Sequence, residues 1–203
     1  MAEVEIRKVT GKEIATYLDE LAALRIEVFR DFPYLYDGDL GYEKEYLQTY
    51  VKAAGSAAFL VFDENEVVGA STCLPLSEET DELKAPFSTT QYSLDEVLYL
   101  GESVLRPAYR GRGIGVEFFR LREEHGRLLN KKYASFCAVQ RPKDHPLRPN
   151  DYRPLDDFWK KRGYHALPGV KTRLKWKDVN EPQETEKQLM YWIKRLDQPT
   201  TEG

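Results

Sequence analysis

Apolar residues recur along this chain with two different periods, and each change of period marks a predicted element. Short apolar or alternating runs, which are typical of strands, occupy residues 5–9, 57–62, 67–74, 97–105, 134–139, 170–176 and 188–193. Helical patterns are predicted over residues 12–29, 42–52, 114–130 and 155–161. Strands and helices are therefore mixed along the chain, which predicts an α/β sheet with helices on both faces.

The most informative segment lies between the strand over residues 97–105 and the helix that follows it. Its sequence is Arg110-Gly111-Arg112-Gly113-Ile114-Gly115. Glycine has no Cβ to block a ligand's approach, so this loop exposes its backbone N–H groups. A helix start favours anions through unpaired N–H groups and aligned peptide dipoles, and arginine adds donors suited to phosphate. The segment therefore predicts a pyrophosphate-binding loop.

Two common phosphate-binding loops do not fit this spacing. A Walker A loop needs a lysine and a Ser or Thr after its last glycine, but Val116 and Glu117 follow Gly115. A dinucleotide fingerprint needs glycines at the first, third and sixth places, and the sixth place counted from Gly111 is Val116. The remaining pattern is Arg-x-x-Gly-x-Gly on Arg110, Gly113 and Gly115.

That pattern resembles the GNAT superfamily of acyl-coenzyme A-dependent acyltransferases. The resemblance runs through residues 105–115, and residues 158–164 are similar to the family's second signature, a helix that ends in Gly-Phe or Gly-Tyr. It implies a mixed, mostly antiparallel sheet of about seven strands, with a splayed parallel strand pair that binds acyl-coenzyme A. We expect a single domain over residues 1–203, with a core at about residues 5–194 and a disordered tail at 195–203.

The resemblance also implies how the coenzyme is held. The amides from Arg110 to Gly115 would bind the pyrophosphate, and the pantetheine arm would run back along Val104, Leu105 and Arg106, like an added strand. The Leu105 N–H would polarise the thioester carbonyl. Trp159 occupies the place where many family members have a tyrosine general acid, and it either packs on the pantetheine or belongs to the core.

An amine acceptor must lose a proton before it attacks the thioester, and a general base assists this step. Glu102 interrupts an apolar strand beside the predicted thioester, which makes it the candidate base; a structural salt bridge or a hydrogen bond to the aromatic loop is the alternative. Glu96 is held in reserve. Indole N–H is no proton donor at neutral pH, so Tyr152 or water would protonate the leaving thiolate.

The acceptor is expected between two loops, over residues 32–41 and 141–154. Tyr34, Tyr36 and Asp37 in the first loop suit a cation through ring faces and charge. His145 in the second loop would bind substrate or relay protons. The alternatives are an aromatic loop that closes the edge of the core and an exposed histidine without a role.

Composition and charge indicate which classes of partner the protein does not bind. The formal net charge is −4, which argues against a nucleic-acid partner, and no apolar run reaches the length of a membrane span. No basic, apolar leader precedes the first strand, so a cytoplasmic protein is expected. Cys73 and Cys137 lie in apolar runs and are expected to be buried thiols. No Cys/His cluster has metal-ligand spacing, so no metal is expected, and the chain is expected to be a monomer or homodimer.

The leading functional hypothesis is transfer of an acetyl group from acetyl-coenzyme A to a primary amine of a small molecule or a protein. A non-catalytic acyl-coenzyme A sensor or interaction module is the alternative. A third hypothesis is acyl transfer to a hydroxyl group, or transfer of a longer acyl chain.

Overall fold

Seven strands and five α-helices form the fold of residues 4–196, the part of the chain that the computed structural model describes. The strands are β1 (Glu5–Thr10), β2 (Ala57–Asp63), β3 (Glu66–Pro75), β4 (Val97–Leu105), β5 (Tyr133–Val139), β6 (His165–Trp176) and β7 (Thr185–Arg195). The helices are α1 (Leu18–Phe29), α2 (Leu40–Lys52), α3 (Asp81–Lys84), α4 (Ile114–Leu128) and α5 (Asp156–Lys160).

The predicted elements are all present, with shifted boundaries. The helix predicted over residues 12–29 divides into a 3-10 helix over Gly11–Tyr17 and α1. The last strand extends through Arg195, and Leu196 after it is buried, so ordered structure continues two residues into the predicted tail. The rest of that tail, residues 197–203, lies outside the described residues.

The strands form one mixed sheet in the order β1-β2-β3-β4-β5-β7-β6. Every neighbouring pair is antiparallel except β4 and β5, which are parallel. Their pairing covers only Val97–Tyr99 on β4 and Tyr133–Ser135 on β5. Beyond these residues each strand continues with its other neighbour, so the sheet opens into a gap between β4 and β5. This confirms the predicted splayed parallel pair.

Helices cover both faces of the sheet because successive strand residues point to opposite sides. On β2, Ala58 and Leu60 pack with α1 and α2, whereas Phe59 and Val61 pack with α4 and α5. Both faces of the central strands are therefore buried, which explains why these strands are continuous apolar runs in the sequence.

The helical spacing predicts that one apolar stripe of α4 is buried, formed by Ile114, Phe118, Leu121, His125 and Leu128. Of these, Ile114, Phe118 and His125 are buried, but Leu128 is 70% exposed. Phe119 and the charged Arg122 are buried in addition. The helix thus carries a buried guanidinium toward the sheet, and this group contacts β4 at the candidate site.

Candidate active site

The turn between β4 and α4 exposes a row of unpaired backbone amides. Gly111 and Gly113 have φ angles of 77° and 83°, a region that glycine adopts without strain. A Cβ added at either position would meet nothing within 4 Å, so the space beside the turn is open. Within residues 4–196, the amides of residues 111–115 donate to no protein acceptor. This geometry fits a diphosphate at the start of α4.

One detail of the predicted loop is wrong. The sequence predicts that six amides from Arg110 to Gly115 face the ligand, but the Arg110 N–H donates to the Pro107 carbonyl at 3.1 Å. Five amides of the turn therefore remain for a ligand. The preceding residues form a short 3-10 turn over Pro107–Tyr109, and the Arg110 amide closes this turn.

The two loop arginines support the turn through their side chains. Arg110 Nε donates to the Leu105 carbonyl at 3.1 Å, and Arg112 Nη2 donates to the Ala108 carbonyl at 3.0 Å. The Arg112 guanidinium also lies over the Tyr109 ring. Both arginines remain exposed beside the free amides, so they add positive charge at the mouth of the turn.

The end of β4 presents one amide to the gap. The Arg106 N–H donates to the Val68 carbonyl of β3 at 3.0 Å. Because N–H directions alternate along a strand, the Val104 amide also faces β3, whereas the Leu105 amide faces the gap. Of the three residues predicted to line the pantetheine, Leu105 is the one whose N–H points there. The Arg106 side chain pairs with Glu27 at 3.0 Å and with Glu66.

An extra residue in β4 determines where Glu102 points. Leu100 is opposite Cys73 and Ser103 is opposite Ser71, so one residue of β3 faces two residues of β4. Such a bulge redirects the side chains that follow it. Strict alternation from Leu100 would place Glu102 on the α4 face, but its side chain contacts Arg25 of α1 on the opposite face.

Buried Arg122 stabilises this bulge from behind. Its Nη1 donates to the Thr72 carbonyl at 3.4 Å and to the Glu102 carbonyl at 3.2 Å, and its Nε donates to Phe118 within α4. Burial lowers the pKa of the Arg122 guanidinium. Carbonyl groups that lose their strand partners at a bulge would otherwise be buried without a donor.

The carboxylate of Glu102 belongs to a buried charge cluster that sequence reasoning missed. Arg25 Nη1 donates to Glu102 Oε2 at 2.6 Å, and Arg25 Nε donates to Glu43 of α2. Burial opposes the charge on Arg25, but the two carboxylates hold its pKa above the ordinary value. Glu102 Oε1 is buried and has no hydrogen-bond partner among the described residues.

A signal for this cluster is present in the sequence. Arg25 lies four residues after Leu21 on the apolar stripe of α1, and Glu43 lies four residues before Leu47 on that of α2. Charged residues at these positions face the core, where they need partners.

A cleft of about 910 Å³ opens above Glu102 on the face that carries α1 and α2. Its floor includes Gly101 and Glu102 of β4 and Cys137 of β5, so it reaches the gap between these strands. Its walls combine charged and aromatic side chains, and the aromatic ones include Phe29, Tyr34, Tyr36, Tyr46 and Trp176. The structure thus brings the predicted Glu102, Tyr34 and Tyr36 together.

A second buried ion pair holds the aromatic loop in place. Arg141 donates to both carboxylate oxygens of Asp178, at 2.7 and 2.9 Å. The same guanidinium donates to the carbonyls of Pro33 and Tyr34, and the Trp176 indole N–H also donates to Tyr34. One arginine therefore joins three segments that are distant in sequence, which sequence patterns do not reveal.

Of the residues considered for catalysis, for the acceptor or for the general-acid position, Asp37, His145, Tyr152 and Trp159 do not line this cleft. Asp37 pairs with Arg30 at 3.1 Å and Lys177 at 2.8 Å, and the hydrogen bonds from Lys177 and Arg30 lower its pKa. The rings of His145 and Tyr152 both contact Phe32.

Trp159, the fourth of these residues, packs against Phe136 and Trp192 on the α4 face. Because this residue is a tryptophan, the position where many family members have a tyrosine offers no hydroxyl group. The reserve base, Glu96, pairs with Lys132 and also lies outside the cleft.

Within the described part of the chain, the two cysteines form no disulfide and no metal site. Both cysteines are free thiols, and burial raises the pKa of Cys137 to about 12. Among residues 4–196, no group of His, Cys, Asp and Glu has the arrangement of a metal site. In the same range, no helix is both long and apolar enough to span a membrane.

Comparison with solved structures supports the same architecture. The fold is similar to that of an acetyltransferase from Thermus thermophilus (17% identity, TM-score 0.55, 95% of this chain and 97% of that chain). It is also similar to a GNAT acetyltransferase from Streptococcus pneumoniae (11% identity, TM-score 0.57, 96% of this chain and 100% of that chain). A third similar structure is that of a ribosomal-protein-alanine N-acetyltransferase from Brucella melitensis (14% identity, TM-score 0.58, 95% of this chain and 99% of that chain).

Sequence comparison identifies the family. Among curated protein sequences, none matches this chain. The sequence model of the acetyltransferase (GNAT) family matches residues 21–149, more than half of the chain. Together with the splayed strands and the free amides of the glycine turn, this match shows that the chain belongs to the GNAT acetyltransferase family.

Proposed function

We propose that this protein transfers an acetyl group from acetyl-coenzyme A to a primary amine of a small molecule or a protein. The observation that carries the proposal is the meeting of three features at one place. The free amides of residues 111–115 follow the C-terminal end of β4, the gap to β5 opens beside the same half of the strand, and the cleft includes Gly101 and Glu102 of that half. This arrangement fits a long phosphorylated carrier on one side and an acceptor on the other.

The coenzyme would be held mainly by backbone groups. The five amides would bind its pyrophosphate, with Arg110 and Arg112 adding charge beside them. The Leu105 amide points into the gap, where it would donate to the thioester carbonyl and stabilise negative charge on that oxygen. When bound, the coenzyme supplies an activated acyl group whose leaving thiol has a pKa near 8.5.

The acceptor would lie in the aromatic cleft with its nitrogen beside Glu102. Ring faces such as those of Tyr34 and Tyr36 attract cations, so an ammonium group suits these walls. Glu102 Oε1 has no protein partner in the described region, whereas Oε2 is held by Arg25. We propose that Oε1 accepts a hydrogen bond from the acceptor nitrogen and removes its proton as the nitrogen attacks. Tyr152 or water would protonate the leaving thiolate.

A thiol-release assay with acetyl-coenzyme A tests this function directly. The panel should contain polyamines, aminoglycosides, amino acids and peptides with free amino termini. Acceptor-dependent thiol release with at least one amine is the expected result. Longer acyl donors and hydroxyl acceptors in the same assay decide the acyl length and the acceptor atom.

The position of Trp159 favours one alternative, a non-catalytic acyl-coenzyme A sensor. Its partly buried ring packs against Phe136 and Trp192, and an indole supplies no hydroxyl group. Calorimetry separates the two functions, because a sensor binds acetyl-coenzyme A but releases no thiol with any acceptor. Absence of binding to coenzyme A and its acylated forms would contradict both.

A further inference from the structure

A second buried carboxylate lies close to the cleft and has no role in the function proposed above. Glu79 follows β3, is 3% exposed, and accepts hydrogen bonds from two tyrosines of α2. Tyr46 Oη lies 3.4 Å and Tyr50 Oη lies 3.2 Å from Glu79 Oε1. The Thr80 amide donates to Glu79 Oε2 at 2.8 Å. A buried carboxylate held by two hydroxyl groups is suited to end a proton path.

Of the two tyrosines that donate to Glu79, Tyr46 lines the cleft and Tyr50 does not. Tyr46 lies beneath the Arg25 guanidinium, whose Cζ is 4.8 Å from the ring centroid. Tyr50 is fully buried, and its hydroxyl occupies space beside Gly101, where an added Cβ would lie 2.1 Å from Tyr50 Oη. Only glycine at the β4 bulge leaves room for this hydroxyl. Tyr46 therefore joins the cleft to Glu79.

A smaller cavity of about 300 Å³ adjoins the carboxyl of Glu79 and is lined by Glu79 together with Thr49, Lys52 and Glu78. Thr49, Lys52 and Thr80 line both this cavity and the cleft, so the two are neighbours. A proton taken up by Glu79 would leave through the smaller cavity, which Glu79 itself lines.

We propose that Tyr46 and Glu79 remove the first proton from the acceptor ammonium, before Glu102 acts at the attack step. This inference rests on the amine acetyltransferase function proposed above. An N–H bond of the ammonium breaks and its proton bonds to Tyr46 Oη, while the proton of Tyr46 moves to Glu79 Oε1. An ammonium and a carboxylate become a neutral amine and a carboxylic acid, so charge and atoms balance. Glu79 keeps this proton through the attack step and releases it to solvent afterwards.

An ammonium acceptor loses two protons when it is acetylated, and Glu102 accounts for only one of them. An alkylammonium with a pKa of about 10.4 must lose one proton to become a nucleophile and a second as the amide forms. The second proton passes through Glu102 in the proposed function. The first is the proton that the overall reaction releases, so it needs an exit to solvent.

The electrostatic surroundings suit Glu79 as a proton acceptor. Burial raises the pKa of Glu79 above its usual value, and the charge of Glu102 adds to this, while the hydrogen bonds from Thr80 and the two tyrosines oppose it. A raised carboxyl pKa brings the group closer to the working pH of a general base. The titratable and charged groups that surround it are Arg25, Tyr46, Tyr50, Lys52, Glu78, Tyr99, Glu102, Cys137 and Tyr191.

The pH profile of kcat/KM tests the path, using the best acceptor from the amine panel between pH 7 and 10. With the path intact, kcat/KM for total amine should be nearly flat across this range. Tyr46→Phe and Glu79→Gln should make it rise about tenfold per pH unit, because only the free amine in solution then reacts. Both variants should approach the wild-type value near pH 10.

Two controls separate this role from structural damage. Tyr42→Phe removes another tyrosine hydroxyl from the cleft side of α2 without touching Glu79, and should keep the flat profile. Glu102→Gln should lower kcat at every pH without tilting the profile. A uniform loss in Tyr46→Phe and Glu79→Gln, or no loss, would overturn the path while leaving the acetyltransferase function intact. Absence of turnover with any amine would overturn the function and the path together.

Discussion

Arg25 Nη1 donates a hydrogen bond of 2.6 Å to Glu102 Oε2 and joins the first α-helix to the fourth strand at the floor of the cleft. The other oxygen of Glu102 is left without a protein partner in the described region. One oxygen of the carboxylate is therefore fixed in orientation, and the other is the one proposed to accept the acceptor's proton. The proposal thus divides positioning and chemistry between the two oxygens of one residue.

Replacing Glu102 by Gln should lower kcat by about 10²- to 10⁴-fold, because the amide cannot accept the acceptor's proton. The dissociation constant for acetyl-coenzyme A should not change, since the amides proposed to hold the pyrophosphate are in the turn before α4. Steady-state kinetics and calorimetry measure the two quantities. Glu96→Gln near the start of the same strand, where Glu96 pairs with Lys132 outside the cleft, is the control. Equal activity of both variants would exclude Glu102 as the base.

Replacing Gly113 by Ala should weaken coenzyme binding and lower stability by about 1–2 kcal/mol, because φ at 83° is strained for a residue with a Cβ. Gly169→Ala is a matched control, since Gly169 has φ at 85° and open space around it but lies in β6, away from the turn. Thermal unfolding should shift similarly in both variants, and only Gly113→Ala should raise the dissociation constant for coenzyme A. The same binding loss in both would point to a general folding effect.

Replacing Arg25 by Met should lower the free energy of unfolding by about 3–5 kcal/mol, because Glu43 and Glu102 would stay buried without a cation. Both carboxylate side chains are 1% exposed. Arg30→Met at the end of the same helix should have much less effect, since its side chain is 60% exposed. Urea unfolding measures the difference. Equal stability of the two variants would mean that the buried pair is not required for folding.

His125 should make the protein less stable as the pH falls from about 7.5 to about 5.5. Its Nε2 lies 3.0 Å from the Gly55 carbonyl, so Nε2 carries the hydrogen, while Nδ1 is buried without a partner in the described region. Burial lowers the pKa of His125 in the folded state. Below about pH 6.5 the unfolded chain therefore binds more protons than the folded one, and stability falls as the pH decreases.

Replacing His125 by Gln should flatten this dependence, measured as the free energy of unfolding at each pH. His165→Gln should leave it unchanged, because His165 is exposed. A slope that persists in His125→Gln would assign the pH effect to other groups.

The site was only partly predictable, and Arg141 illustrates why. Its place in a proline-rich loop indicates nothing unusual, yet its guanidinium joins Asp178 to the aromatic loop near residue 34. Asp178 lies in a polar segment with no pattern. Long-range pairing of this kind depends on which segments meet in space, and hydrophobic periodicity carries information only on neighbours along one element. Trp159 shows the same limit, because its spacing fits either a ligand contact or the core, and its partly buried ring fits both.

The order of strands and helices, the glycine turn and the presence of a carboxylate in the apolar strand β4 could be predicted from the sequence alone, because periodicity and glycine conformation are local properties. Tertiary structure decided which way that carboxylate points. The extra residue in β4 moves Glu102 to the face of α1, and Arg122 and Arg25, from two different helices, hold the bulge and the carboxylate there. A bulge forms only when two strands pair with unequal length, so the pattern of one strand cannot specify it.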